Sequence, residues 1–150
     1  MNPSTKLQPD PAPTPDRGLI GLGVAAIDTP ALVVDLDAME RNLTRMAEFA
    51  IKHKVRWRPH AKLHKSTALA RLQMRAGAVG VCVQKTTEAE RLAAGGVHNI
   101  YISNEVIAPA KLERVAALAH WLRGADGRLA IAVDSVQGVQ RLAAAMANLP

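Results

Sequence analysis

The chain reads as an α/β protein on a parallel sheet, and three observations predict it. Short apolar runs with little polar alternation recur at 31–34, 78–83 and 129–133, the composition of strands buried on both faces. Between them lie stretches with apolar residues at helical spacing, so strand-like and helix-like segments alternate roughly every 20 to 35 residues. Aromatics are confined to Phe49, Trp57, Tyr101 and Trp121, so the core is built from Ala, Leu, Val, Ile and Met. On pattern alone an open doubly wound sheet and a (β/α)8 barrel both satisfy this. No Gly-rich dinucleotide fingerprint follows a strand and no P-loop is present, which weakens the nucleotide-binding version of the open sheet.

The elements follow in order. Pro3, Pro9, Pro11, Pro13 and Pro15 among polar residues predict a flexible arm, taken to residue 26, with the folded part over 27–150. The first strand is expected at 31–35. Asp37-Ala38-Met39-Glu40 has the form of a capping box, and Met39, Leu43, Met46, Ala47 and Ala50 mark the inner face of the helix behind it. A basic strand is expected at 56–62, then a helix opening near Ser66 with Leu69 and Leu72 inward. The strand at 78–84 is followed by a helix capped at Thr87-Glu88-Ala89-Glu90 and stopped by Gly95-Gly96. A strand at 99–104 leads to a helix with Pro109 in its first turn. A strand at 129–134 and a helix over 139–146 complete the pattern.

Composition bounds the function. The 150 residues are 49% apolar and 21% charged, enough for one domain with a core. The net charge of +6 invites a nucleic-acid reading, but the basic residues are spread over helix faces beside Asp or Glu, and no aromatic ladder interleaves with them. The single cysteine, Cys82, sits in an apolar run as a reduced core residue. The polar start carries no secretory h-region and the apolar runs are too short for a bilayer, so a cytoplasmic protein with no membrane or nucleic-acid partner is expected.

The stretch Arg56-Trp57-Arg58-Pro59-His60-Ala61-Lys62-Leu63-His64-Lys65 is the most informative. In an extended strand, Arg58, His60 and Lys62 share one side and Trp57, Pro59 and Ala61 the other. A cationic face is costly to bury, so it looks into a ligand site or into water. Four successive strands end in polar groups: His60 and Lys62, Gln84, Ser103-Asn104, and Asp134-Ser135. Any one of these suits a loop or a cap; together they mark the strand ends where α/β folds bind ligands.

A lysine walled by His60, Arg58 and Lys65 should have its ammonium form disfavoured by like charge and partial burial. A neutral amine is the nucleophile that condenses with carbonyls, whereas the ordinary fate of a lysine is a solvated surface. His60 is either a proton shuttle or a hydrogen-bonded strand-end histidine. His60 and His64 alone do not make a metal site, which needs three or four ligands. His53, His98 and His120 are expected on inert helix or loop surfaces.

The blocks Ile27-Asp28-Thr29-Pro30-Ala31-Leu32-Val33-Val34-Asp35, Arg58-Pro59-His60-Ala61-Lys62-Leu63-His64-Lys65, Gly80-Val81-Cys82-Val83-Gln84-Lys85, Ile102-Ser103-Asn104-Glu105-Val106 and Pro109-Ala110-Lys111-Leu112 together resemble the D-threonine aldolase group. That group includes 3-hydroxy-D-aspartate aldolases, with D-serine dehydratases as relatives, all pyridoxal-phosphate enzymes with the alanine-racemase type of barrel. The resemblance implies a partial (β/α)8 TIM barrel, with about half of the barrel present. It implies Lys62 as the Schiff-base lysine of pyridoxal 5'-phosphate, His60 as its catalytic neighbour, and Gln84 and Asn104 as cofactor-binding residues.

It further implies cleavage of a D-3-hydroxy amino acid to glycine and an aldehyde or glyoxylate. A dehydratase on the same scaffold and a non-catalytic cofactor carrier are the alternatives. A divalent metal, manganese by resemblance, would have its ligands outside this chain. A barrel needs roughly 250 residues, so a truncated gene product or partial sequence is expected. The open half-barrel has an unpaired edge that invites a homo-oligomer.

Overall fold

The structure is a computed structural model and describes residues 17–147. Most of the arm expected over 1–26 lies outside the described residues; the remainder holds two 310 turns, Arg17–Leu19 and Val24–Ala26. Then follow α1 (Leu36–His53), α2 (Thr67–Arg75), β1 (Val81–Val83), α3 (Thr86–Ala94), β2 (Asn99–Ile102), α4 (Pro109–Gly124), β3 (Arg128–Ile131) and α5 (Val136–Ala147).

The three strands form one sheet in the order β1-β2-β3, with both pairings parallel. Val81, Cys82 and Val83 face Ile100, Tyr101 and Ile102, and Ile100 and Ile102 face Leu129 and Ile131. Parallel neighbours require a crossover, supplied here by α3 and α4. The core lies where these helices cover the strands: Val81, Val83, Ala89, Leu92, Val97, Ile100, Ile102, Val115, Leu118 and Leu122 form one buried cluster with Ala61 and Ala70. The apolar run at 78–83 thus yields a strand buried at all three residues, as expected. β2 is buried only at Ile100 and Ile102, and β3, whose run at 129–133 reads as a strand buried on both faces, alternates exposed and half-buried residues at the edge of the sheet. Cys82 is a free buried thiol.

The helix signals act as predicted at three ends. The Ser66 hydroxyl accepts the Leu69 amide at the start of α2, Pro109 occupies the first turn of α4, and α3 stops at Gly95. The cap of α1 differs: the Asp35 carboxylate accepts the Ala38 amide at 2.8 Å, so the helix opens two residues before the expected Asp37. Both aspartates suit a first turn, and only the one with extended backbone can serve as the cap.

Two expected strands do not form as such. Residues 31–35 form no strand and are unpaired among the described residues, and Leu32 and Val33 are exposed. Of 56–62, only His60 makes a bridge, parallel to Cys82. Residues 57–61 do lie along β1, through Val79 N–H to Trp57 O, Cys82 N–H to Pro59 O and Ala61 N–H to Cys82 O. Pro59 has no N–H to give, which interrupts the ladder.

Candidate active site

The segment beside β1 sends the side chains of Arg58 and His60 across it toward β2, at opposite ends of the sheet. Arg58 works at the N-terminal ends: its Nη2 donates to Asn99 Oδ1 at 2.9 Å, and its Nη1 to Asn99 O at 3.2 Å and Val81 O at 3.4 Å. Burial, reinforced by Arg56 and Arg128, holds this guanidinium below its ordinary value, while Cys82 opposes them. Gly80 lies beneath it at φ +149°, where a Cβ would run into Arg58 and Asn99. Arg58 is therefore a clamp on the strand starts. It does not wall Lys62 as the alternation suggested.

His60 works at the C-terminal ends. Its Nε2 lies 3.2 Å from Ser103 Oγ, and Ser103 Oγ donates to Val83 O at 3.2 Å. Its Nδ1 accepts the Lys62 amide at 3.2 Å. An Nδ1 that accepts carries no proton, so the neutral ring holds its hydrogen on Nε2 and donates it to Ser103. The Ser103 hydroxyl hydrogen then goes to Val83 O, and the chain of donors runs one way. Burial and the neighbouring Lys62 charge keep His60 below the usual histidine range, with Glu88 pulling the other way.

Lys62 begins the turn that follows, and its side chain is exposed. The partial burial expected of it is absent because the chain leaves the sheet after Ala61, which is itself buried. Its backbone amide is bonded to the His60 ring, whose proton affinity its charge helps to lower. The turn closes through Lys65 N–H to Ala61 O at 2.8 Å, with Lys65 in the left-handed region at φ 48°.

Glu88 joins this turn to the end of β1. Its Oε2 accepts the amides of Gln84 at 2.9 Å and Lys85 at 3.2 Å, and its Oε1 lies 3.5 Å from Lys65 Nζ. Lys85, at the N-cap, has no acceptor of its own, so only the glutamate half of a capping box operates. Burial alone would raise the Glu88 carboxyl; the two amides and Lys65 outweigh it and hold the group below the ordinary range.

Gln84 and Asn104, at successive strand ends, line one cleft of about 540 Å³ together with Lys85, Thr86, Glu105 and Lys111. Lys62 and His60 are not among its lining residues. The structure thus brings the four expected residues to one end of the sheet as two pairs. His64 is half-buried; its Nδ1 accepts the Ser66 amide at 3.0 Å and its Nε2 is buried without a partner. Burial lowers its proton affinity, opposed by contacts with Gln73 and Ser66. His98 is half-buried with its ring edge-on to Trp121 at 5.6 Å, and His53 and His120 are exposed.

The sequence marks Ser103 as a strand-end polar group and Lys65 as a neighbour of Lys62, but not the partners the structure gives them, and it does not mark Glu88 as a site residue. The cap expected at Thr87-Glu88-Ala89-Glu90 lies two residues too late: α3 opens at Thr86 after Lys85, which puts Glu88 at its third position.

An exposed primary amine beside a neutral imidazole, with two carboxamides over a cleft of ligand size, suits a carbonyl cofactor. A metal does not fit in the same way: among the described residues no group of three or more His, Cys, Asp or Glu could hold one. No helix among them is long and apolar enough to cross a membrane.

Parallel strands joined by helices, with polar side chains gathered at the C-terminal strand ends, define an α/β protein of the kind that binds ligands at that rim. The chain belongs to the family described as "Alanine racemase, N-terminal domain", matched over residues 34–149. It is 42% identical over 128 residues to a 3-hydroxy-D-aspartate aldolase of Paracoccus denitrificans, covering 85% of this chain and 32% of that protein. It is 42% identical over 118 residues to a D-threo-3-hydroxyaspartate dehydratase of Delftia sp. (strain HT23), covering 79% of this chain and 30% of the relative. Among solved structures it resembles D-threonine aldolase from Filomicrobium marinum, with a TM-score of 0.74 and 48% identity over 83% of this chain and 32% of that one. The chain spans about a third of the length of these relatives.

Proposed function

We propose that this chain is the N-terminal part of a pyridoxal-phosphate-dependent lyase that cleaves D-3-hydroxy amino acids to glycine and an aldehyde or glyoxylate. The observation that carries it is the placement of Lys62, exposed on the turn at the sheet's C-terminal end, with its backbone amide bonded to His60 Nδ1. The names of the relatives, two aldolases and a dehydratase, supply the substrate class. We read the sheet as part of a (β/α)8 wall over 27–150, with 1–26 as an arm.

Lys62 is the residue to hold the cofactor, through its Nζ. Bound there, pyridoxal phosphate supplies an electron sink for a bond at the amino acid's Cα. His60 orients Lys62: with Nδ1 on the Lys62 amide and Nε2–H on Ser103, it fixes the start of the turn and adds no second positive charge next to the amine. Gln84 and Asn104 offer amide donors and acceptors to a ligand in the cleft beside it. The divalent metal implied by resemblance has no ligand set among the described residues, and no step is assigned to it. The protein is read as cytoplasmic, acting on a small D-amino acid, and self-associating along its open sheet edge.

Borohydride reduction in the presence of pyridoxal phosphate, followed by peptide mapping, should mark Lys62 alone, and Lys62→Met should abolish the mark. Labelling elsewhere, or none, removes the reading. The Delftia relative favours one second reading, elimination on the same scaffold. A 2-oxo acid in place of glycine among the products selects it.

A further inference from the structure

Glu88 is placed to do more than cap a helix. Its side chain is only 9% exposed, although one of its partners, Lys65, is 58% exposed. One oxygen takes the amides of Gln84 and Lys85, fixing the backbone where β1 ends. The other takes the ammonium of Lys65, the last residue of the turn that Lys62 opens. The turn has few other ties to the sheet. Ala61 N–H bonds to Cys82 O at its start, Lys62 N–H bonds to His60 Nδ1, and Lys65 N–H closes on Ala61 O. Lys65 also holds a left-handed backbone, costly for a residue with a Cβ, so some contact must keep it there.

We propose that Glu88 is a positioning residue for Lys62: its carboxylate ties the 61–65 turn to the end of β1 and so holds the Lys62 amine at the rim beside His60. This rests on the reading of Lys62 as the cofactor-bearing residue. Two variants separate the tie from the cap. Glu88→Gln keeps an oxygen for the Gln84 and Lys85 amides but gives up the charge that holds Lys65. Lys65→Met gives up the same ion pair and leaves Glu88 capping α3.

An ion pair with one exposed partner supports an effect of about two- to fivefold. In the full chain, hydrogen exchange of the Lys62 amide should therefore quicken about two- to fivefold in each single variant and no further in the double. Exchange within α3 should stay as it is. The yield of borohydride-trapped pyridoxal phosphate on Lys62, at limiting cofactor, should fall by a like factor in all three.

Unchanged exchange at Lys62, or single effects that add in the double, overturns the tie. Faster exchange with full trapping reduces Glu88 to a structural contact and overturns the positioning role. No trapping on Lys62 in the unsubstituted chain removes the cofactor reading and the inference that rests on it, whatever the exchange shows.

Discussion

Replacing Arg58 by Met tests whether this residue belongs to the sheet or to the site. The substitution keeps most of the stem and removes the guanidinium that joins the starts of β1 and β2. The bond to Asn99 Oδ1 at 2.9 Å has full charge-assisted geometry and contributes about 1.5 kcal/mol. The bonds at 3.2 and 3.4 Å share one nitrogen and are long, so together they add about 1 kcal/mol. Burial of the guanidinium offsets part of this, which sets the expected loss at about 2 kcal/mol. For a chain of this length that is roughly 4 to 8 °C in Tm. Urea titration with matched thermal melts measures it. Arg58→Lys should recover at most half, because a single ammonium cannot fork between Asn99 Oδ1 and the two carbonyls. A loss under about 0.5 kcal/mol in Arg58→Met, or reduced cofactor trapping at Lys62 with stability intact, refutes the clamp.

Ile100 is fully buried between two strands, so Ile100→Ala should cost about 3 to 4 kcal/mol in urea, whereas Ile51→Ala, at a site 78% exposed, should stay within about 0.5 kcal/mol. Equal losses would mean that the core is elsewhere. The folded His60 and His64 bind protons less readily than the unfolded chain, so stability should be full above the ordinary histidine value of 6.5 and fall as pH drops below it. His64→Gln should flatten that slope in urea titrations between pH 7 and 5, by roughly the share of one histidine. Glu88 has the opposite origin and the same sign. Its depressed folded value makes its contribution present above the ordinary value of 4.5 and lost as pH falls through the folded one, so Glu88→Gln should weaken acid unfolding below that pH.

How much of this was legible depends on how local each signal is. The run at 78–83 is apolar at every position but one glycine, and burial on both faces is the usual way to satisfy such a run, so β1 could be read directly. The run at 129–133 looks the same, yet its strand lies at the sheet's edge with alternate residues exposed, which composition does not reveal. Residues 31–35 carry an equally apolar run, yet a strand exists only where a neighbour supplies hydrogen bonds, and composition does not name the neighbour. The alternation across 56–62 placed Arg58 and His60 on one side correctly and failed at Lys62, where the chain turns. It also could not show that two side chains on one face serve opposite ends of a sheet. Of the rim, Gln84, Ser103 and Asn104 were readable as polar residues ending apolar strands, while the bond from His60 to Ser103 could be recognised only once β2 lay beside that segment. The tie between Glu88 and Lys65 joins residues 23 apart through a fold that neither one specifies.

The sheet has two unlike margins. Along β1 lies the segment that bears Arg58, His60 and Lys62; along β3, alternate residues are exposed and no strand pairs with its far side among the described residues. Growth of the sheet at β3 and the strand-end groups beside β1 are therefore mechanically separate. A further strand docking at β3 widens the sheet without touching the turn at 61–65. A graft or fusion at that margin becomes a way to enlarge this protein while the candidate site is left as it is.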